Sequence, residues 1–213
     1  LLNLVRNVFA RLKLLGAWFI QHLFVHDGKK GDILKASLAM FAAKGYDAVS
    51  VRDLAKAAGV SEAALYKHFK GKEEMAQYIF VAIISDYTQR LQRIDAVVTG
   101  AVNKLCRLVE VTYELYRQYP AEIRFTLLSQ YQFWDKAPEE VKPHFLIRRI
   151  LEEGMDAGEI PRKEVYFWIT VYSGILLQPL VQYPYFHDVL PEFDDLTQEV
   201  ASMVRKLLQA PKA

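Results

Sequence analysis

The chain has 213 residues, 52% of them hydrophobic and 24% charged, with a formal net charge of +2 and one cysteine. That length and apolar content can bury a substantial core, as one large or two small domains. The single Cys106 excludes an intramolecular disulfide, and its neighbours Leu105, Leu108 and Val109 make it a buried, inert thiol suited to a reducing cytoplasm.

Residues 1–26 place Leu1, Leu4, Val5, Val8, Leu12, Leu15, Phe19 and Leu23 on one helical stripe, with Asn3, Arg6, Asn7, Lys13 and Gln21 elsewhere. The segment is amphipathic and cationic. Its longest uncharged run, 14–25, falls short of the roughly 20 residues a membrane span needs and contains Gln21 and His22. No small-x-small cleavage site follows, so a signal peptide fits poorly. A helix packed on the body or on a partner, a stretch read from too early a start, and an interfacial membrane helix remain as readings. The last would suit a membrane-surface adaptor, but it leaves residues 50–72 unexplained. His22 and His26 stand four apart, as ligands on one helix would, yet no third ligand completes a metal site.

Residues 32–44 carry Leu34, Leu38 and Phe41 on one stripe and stop at Gly45. Ser50-Val-Arg-Asp53 follows the capping-box pattern, with Asp in place of the usual Glu. It opens a helix whose apolar positions are Val51, Leu54, Ala55 and Ala58. Gly59 ends that helix, because a glycine just past the last turn can take the left-handed conformation that redirects the chain. Ser61 then caps a third helix. Leu65 and Phe69 fall on its inner face with Val60, leaving Glu62, Ala63, Tyr66 and Lys67 on the other. Small and aromatic groups on a short outward face suit a helix that enters a groove about 12 Å wide. The pattern predicts a three-helix helix-turn-helix domain over residues 29–75, preceded by the extension 1–28.

The remainder, 76–213, reads as helices over 72–93, 100–118, 120–134, from Pro138 to near Gly158, 163–183, and from Leu190-Pro191 to 209. Pro120 is at home in a first helical turn. No period-two strand pattern or internal repeat occurs, so the fold class is all-α. Residues 167–180 are apolar nearly all round, and such a helix must be buried against something. Tyr113, Tyr116, Phe125, Tyr131, Phe133, Trp134, Phe145, Trp168 and Tyr172 make this half unusually aromatic, either as core or as the lining of a pocket for a flat or greasy ligand.

The chain resembles the TetR family of transcriptional repressors. The resemblance rests on Ile33-Leu-Lys-Ala-Ser-Leu-Ala-Met-Phe-Ala-Ala-Lys-Gly-Tyr46, Val51-Arg-Asp-Leu-Ala-Lys-Ala-Ala-Gly-Val-Ser61 and Leu65-Tyr-Lys-His-Phe-Lys-Gly-Lys-Glu-Glu-Met75. A weaker echo lies in the Gly158-Glu-Ile160 turn. The resemblance implies an all-helical homodimer with a DNA-binding N-terminal domain and a C-terminal domain that dimerises and binds a small ligand. It implies that Ser50, Tyr66, His68 and Lys72 contact phosphates. In the helix headed by Ser61, it implies that Glu62, Ala63, Ala64 and Lys67 face base edges. Ala63 departs from the pattern, since many relatives carry glycine there. An effector held among Tyr113, Tyr116, Phe133, Trp134 and Trp168 is likewise expected, with the partner subunit against residues 167–180.

Charge agrees with that division. Residues 29–72 hold nine lysines or arginines against four acids, whereas 73–213 hold fifteen against twenty, so a polyanion is attracted to the first part and repelled by the second. No phosphate-cradling glycine loop, His-Glu-x-x-His or nucleophile turn supports an enzyme. Neither a cofactor nor a metal is called for. The expected partners are double-stranded DNA, a second copy of the chain and a small-molecule effector in the cytoplasm, with membrane association disfavoured.

Overall fold

The computed structural model describes residues 28–209. The amphipathic stripe of 1–26, its histidine pair and the membrane-surface reading that depends on them lie outside the described residues.

Local capping fixes the first three helices. α1 spans Lys29–Lys44 and buries Ile33, Leu34, Leu38 and Phe41. α2, Val51–Ala57, starts at Ser50, whose extended backbone and side chain close the capping box expected from Ser50-x-x-Asp53. At its end the Gly59 N–H donates to Lys56 O (3.2 Å) and the Val60 N–H to Ala55 O (3.0 Å). This pair of bonds requires the left-handed backbone found at Gly59, φ +66°. α3, Glu62–Tyr66, is shorter than the expected 61–69, and the chain past Lys67 leaves the α-helix. Phe69 is buried all the same, its N–H held by Leu65 O at 3.1 Å. Val49, Leu54, Ala55, Leu65 and Phe69 join the α1 side chains in one small core. Truncating a fully buried member such as Leu54 to alanine costs about 2–5 kcal/mol.

α4 runs uninterrupted over Lys72–Val97. The chain forms two compact units, one ending at Asp86 and the other beginning at Tyr87. The division lies inside α4, beyond the 75/76 boundary expected from the motif. The first part of α4 is a constituent of the first unit, in which Ser37 Oγ contacts Met75 Sδ at 3.7 Å and the Phe69 and Tyr78 rings meet edge-on at 6.2 Å.

The second unit contains α5 (Ala101–Gln118), α6 (Pro120–Phe133), a 3₁₀ turn (Glu139–Val141), α7 (His144–Asp156), α8 (Val165–Phe186) and α9 (Phe193–Leu208). α5 is its axis, touching α6, α7, α8 and α9. The continuous helix expected after Pro138 is instead the 3₁₀ turn followed by α7. Pro143 cannot donate a helical N–H and disfavours the helical conformation at Lys142, whose ψ is 122°. Conversely, α8 continues past 183 through Pro179 and Pro184. Gly154 lets α7 approach α5 closely, since a Cβ there would lie 2.6 Å from the Ala101 Cβ. The buried Tyr172 hydroxyl donates to Leu105 O at 2.9 Å, which ties α8 to α5. No strand occurs among the described residues.

Candidate functional site

The outward face of α3 is built by the turn before it. Ser61 Oγ accepts the Ala64 N–H at 3.2 Å, which fixes the start of the helix. Leu65 is fully buried, so the 3.6-residue period turns Glu62, Ala63 and Tyr66 outward. Lys67 and His68 are exposed as well, Ala64 is half-buried, and Tyr66 keeps 52% of its surface in water. The structure thus brings six of the expected residues, Ser61, Glu62, Ala63, Tyr66, Lys67 and His68, onto one exposed segment.

Ser50 is exposed but occupied. Its Oγ donates to Asp53 Oδ2 at 2.6 Å and accepts the Asp53 N–H at 3.1 Å. The bond from the Ser50 side chain, then that from its backbone, holds the Asp53 carboxyl below the usual carboxylate range. Lys72 points inward. Its ammonium donates to Tyr46 O at 3.1 Å and Val49 O at 3.0 Å, reaches Asp47 O at 3.5 Å, and stands 4.4 Å from the centre of the Tyr46 ring. Its donors are directed to the chain's own loop between α1 and α2. Arg52 and Lys56, four apart on α2, are further exposed cations that the motif did not single out.

Of the five aromatics expected around an effector, Tyr113, Tyr116 and Trp168 belong to the hydrophobic core of the second unit, and Phe133 and Trp134 are not part of that cluster. Tyr113 is fully buried with no partner for its hydroxyl, and burial pushes that hydroxyl well above its usual range. Tyr116 stacks on Phe193 at 5.7 Å. Phe133 is buried against Phe125, whereas Trp134 is half-buried beside His144 at 5.5 Å. Trp168 is a core residue on α8 whose indole N–H donates to Pro161 O at 3.0 Å.

A groove of about 470 Å³ lies instead between α4, the 3₁₀ turn and α7, lined by Thr88, Gln92, Glu139, Glu140, Lys142, Phe145, Leu146 and Arg149. Its volume falls in the range of small-molecule sites. Thr88 Oγ1 donates to Val141 O at 2.7 Å, fastening the turn to α4. Behind it, Asp95 pairs with Arg149 at 2.6 Å and Lys104 at 2.8 Å. Burial works to raise the Asp95 carboxyl, but hydrogen bonds from Lys104 and Arg149 outweigh it and hold the group below its ordinary value.

α8 buries only one stripe, Trp168, Tyr172, Leu176 and Leu180. Its far side exposes Tyr166, Phe167, Thr170 and Gly174 and half-exposes Val171 and Val181, with open space where a Gly174 Cβ would stand. It is also the one helix among the described residues long and apolar enough to cross a membrane.

Residues 33–79 match the model of bacterial regulatory proteins, tetR family. The HTH-type transcriptional repressor KstR2 of Mycolicibacterium smegmatis is 28% identical over 138 residues, 61% of this chain and 66% of that protein. KstR2 of Rhodococcus jostii is 33% identical over 87 residues, 41% and 43%. The chain thus spans less than two thirds of the length of these KstR2 proteins. In fold it is similar to the Bacillus subtilis regulator FadR in complex with stearoyl-CoA, with a TM-score of 0.71 and 22% identity over 84% of this chain and 98% of that one. It is also similar to the ketosteroid regulator KstR2 of Mycobacterium tuberculosis, with a TM-score of 0.67 and 20% identity over 87% and 97%. The capped helix-turn-helix of residues 50–69 and the matched stretch around it agree: over residues 33–79 the chain carries the sequence of the tetR family of bacterial regulatory proteins, and its all-helical fold is similar to that of the two solved regulators.

Proposed function

We propose that this protein is a cytoplasmic transcriptional repressor, not an enzyme, that binds a near-palindromic operator as a homodimer and is released by a small, largely apolar effector. The observation that carries the reading is the exposed face of α3 behind the Gly59 turn. Lys67 there reaches guanine O6 and N7, the Ala63 and Ala64 methyls meet thymine, and Tyr66 and His68 donate to phosphates, while the Ser50 hydroxyl stays on Asp53. Two copies then set their α3 helices in successive major grooves about 34–36 Å apart.

The apolar face of α8 supplies the dimer contact, joined by the exposed Met203 and Leu207 of α9. A face of that size left in water would be an aggregation liability on a soluble monomer. The effector binds in the second unit and acts through α4, the helix that begins at Lys72 beside the α2 cap and continues to Val97. The stearoyl-CoA and ketosteroid regulators of similar fold favour an effector with a large apolar part. Footprinting on fragments of the protein's own genome tests the reading. It predicts protection of two half-sites with one centre of symmetry, and uniform protection of every fragment would contradict it.

A further inference from the structure

The groove beside α4 contains a lysine in an unusual position. Lys142 keeps only 6% of its side chain in water, and its one carboxylate partner among the described residues is Glu139, at 2.5 Å, which keeps 65%. The Trp134 ring also faces the ammonium, its centre 5.8 Å away. An ammonium offers three donors, so a buried one held by a single, largely solvated carboxylate has donors to spare. Around it the groove presents the Phe145 ring, 43% exposed, the buried Leu146 and the Gln92 amide. Arg149 contributes no free charge, because its two terminal nitrogens are spent on Asp95 and Glu153.

The geometry points to this groove as a binding site for an organic carboxylate with an apolar or aromatic body, Glu139 holding the place of the ligand's carboxylate until it arrives. The inference rests on the effector-regulated reading and gives the effector a chemical class. The asymmetry of the pair decides the sign of the ligand. An incoming carboxylate that takes the ammonium sends Glu139 into water, where most of it already lies, and Lys142 stays paired. An incoming cation that takes Glu139 would strand a buried ammonium, which is strongly unfavourable. Glu140 stands exposed at the rim, so once Glu139 is displaced the Lys142 ammonium is the inner charge that meets the ligand. The ligand's apolar body then lies along Phe145 and Leu146, against Thr88 and Gln92 of α4. Since Glu139 opens the 3₁₀ turn that Thr88 fastens to α4, its displacement acts on the element that continues into the first unit.

The test uses the full chain and calorimetric titration with 2-naphthoate, its neutral carboxamide, 2-naphthylmethylammonium and inorganic phosphate. Naphthoate should bind, the carboxamide and phosphate should bind at least about tenfold more weakly, and the ammonium should not bind. Glu139→Gln, at an exposed position that leaves the fold intact, should tighten naphthoate by about fivefold, the worth of the displaced pair. Lys142→Met should abolish the preference for naphthoate over its carboxamide. The inference is overturned if naphthoate fails to bind, if the ammonium binds as well as naphthoate, or if Glu139→Gln weakens naphthoate or leaves it unchanged. Duplex binding measured on the same samples separates the two readings. Duplex bound without naphthoate sinks the groove alone, and naphthoate bound without duplex sinks the regulator alone.

Discussion

The Lys72 ammonium lies 3.0 Å from the carbonyl of Val49, one residue before the serine that caps α2. The first residue of the long helix is thus pinned to the loop that starts the helix-turn-helix. The family resemblance implies a phosphate contact at Lys72, yet its donors converge on loop carbonyls and its charge rests on the Tyr46 ring. A phosphate ligand and an internal pin differ in a measurable way. Lys72→Ala removes charge-assisted hydrogen bonds and should cost about 1.5–3 kcal/mol of stability. The affinity of the folded variant for duplex should fall while the slope of log affinity against log salt stays unchanged. A slope flattened by about one unit would make Lys72 a phosphate ligand after all.

Lys67 tests the opposite behaviour. It is exposed at the C-cap of α3, between the exposed Tyr66 and His68. Lys67→Ala should leave thermal stability unchanged and relax base preference at one position of each half-site, by about 1–3 kcal/mol of discrimination. Competition between duplexes differing at single positions reads this directly. A uniform loss over all duplexes would move Lys67 from base edge to backbone.

Gly174 tests the dimer. It sits in the middle of the exposed face of α8, with open space in front of its Cα. In a monomer, Gly174→Arg would point into water and cost little beyond helix propensity. Between two packed subunits, it would bury an unpaired charge and cost several, about 3–5, kcal/mol. Sedimentation velocity should show the wild type as a dimer and the variant as a folded monomer. A fully dimeric variant would place the interface elsewhere.

Asp95 sets a pH dependence. Its folded-state carboxyl lies below the ordinary value despite burial, because Lys104 and Arg149 hydrogen-bond it. Its contribution to stability is therefore present above the unfolded carboxyl value, about 3.9. It is lost as pH falls through the lowered folded value. Urea titrations at a series of pH values should show an acid limb that flattens in Asp95→Asn. An unchanged limb would assign the acid sensitivity to other carboxylates.

The helix-turn-helix was legible in the sequence because its information is local. Ser50 and Asp53, Gly59, and Ser61 with Leu65 act within four residues of one another, and each does in the structure what its spacing predicts. The break at Pro143 was legible in the same way but masked by the apolar period on either side. What could not be read were side-chain destinations set by tertiary contacts. Lys72 and Val49 meet across 23 positions. Trp168 and Tyr113 became core, while Trp134, drawn from the same aromatic composition, ended beside a groove. The Glu139–Lys142 pair offered no signal, since an i, i+3 ion pair is ordinary until the lysine is found buried.

The most direct measurement is selection of bound sequences from random duplexes by the full chain, repeated at two salt concentrations. A homodimer reading DNA through two α3 helices predicts recovery of a dyad-symmetric sequence whose half-site centres are about one helical turn, 34–36 Å, apart, with enrichment that survives the higher salt. Recovery of sequences without dyad symmetry, or binding that vanishes without leaving any preferred sequence, would contradict the account.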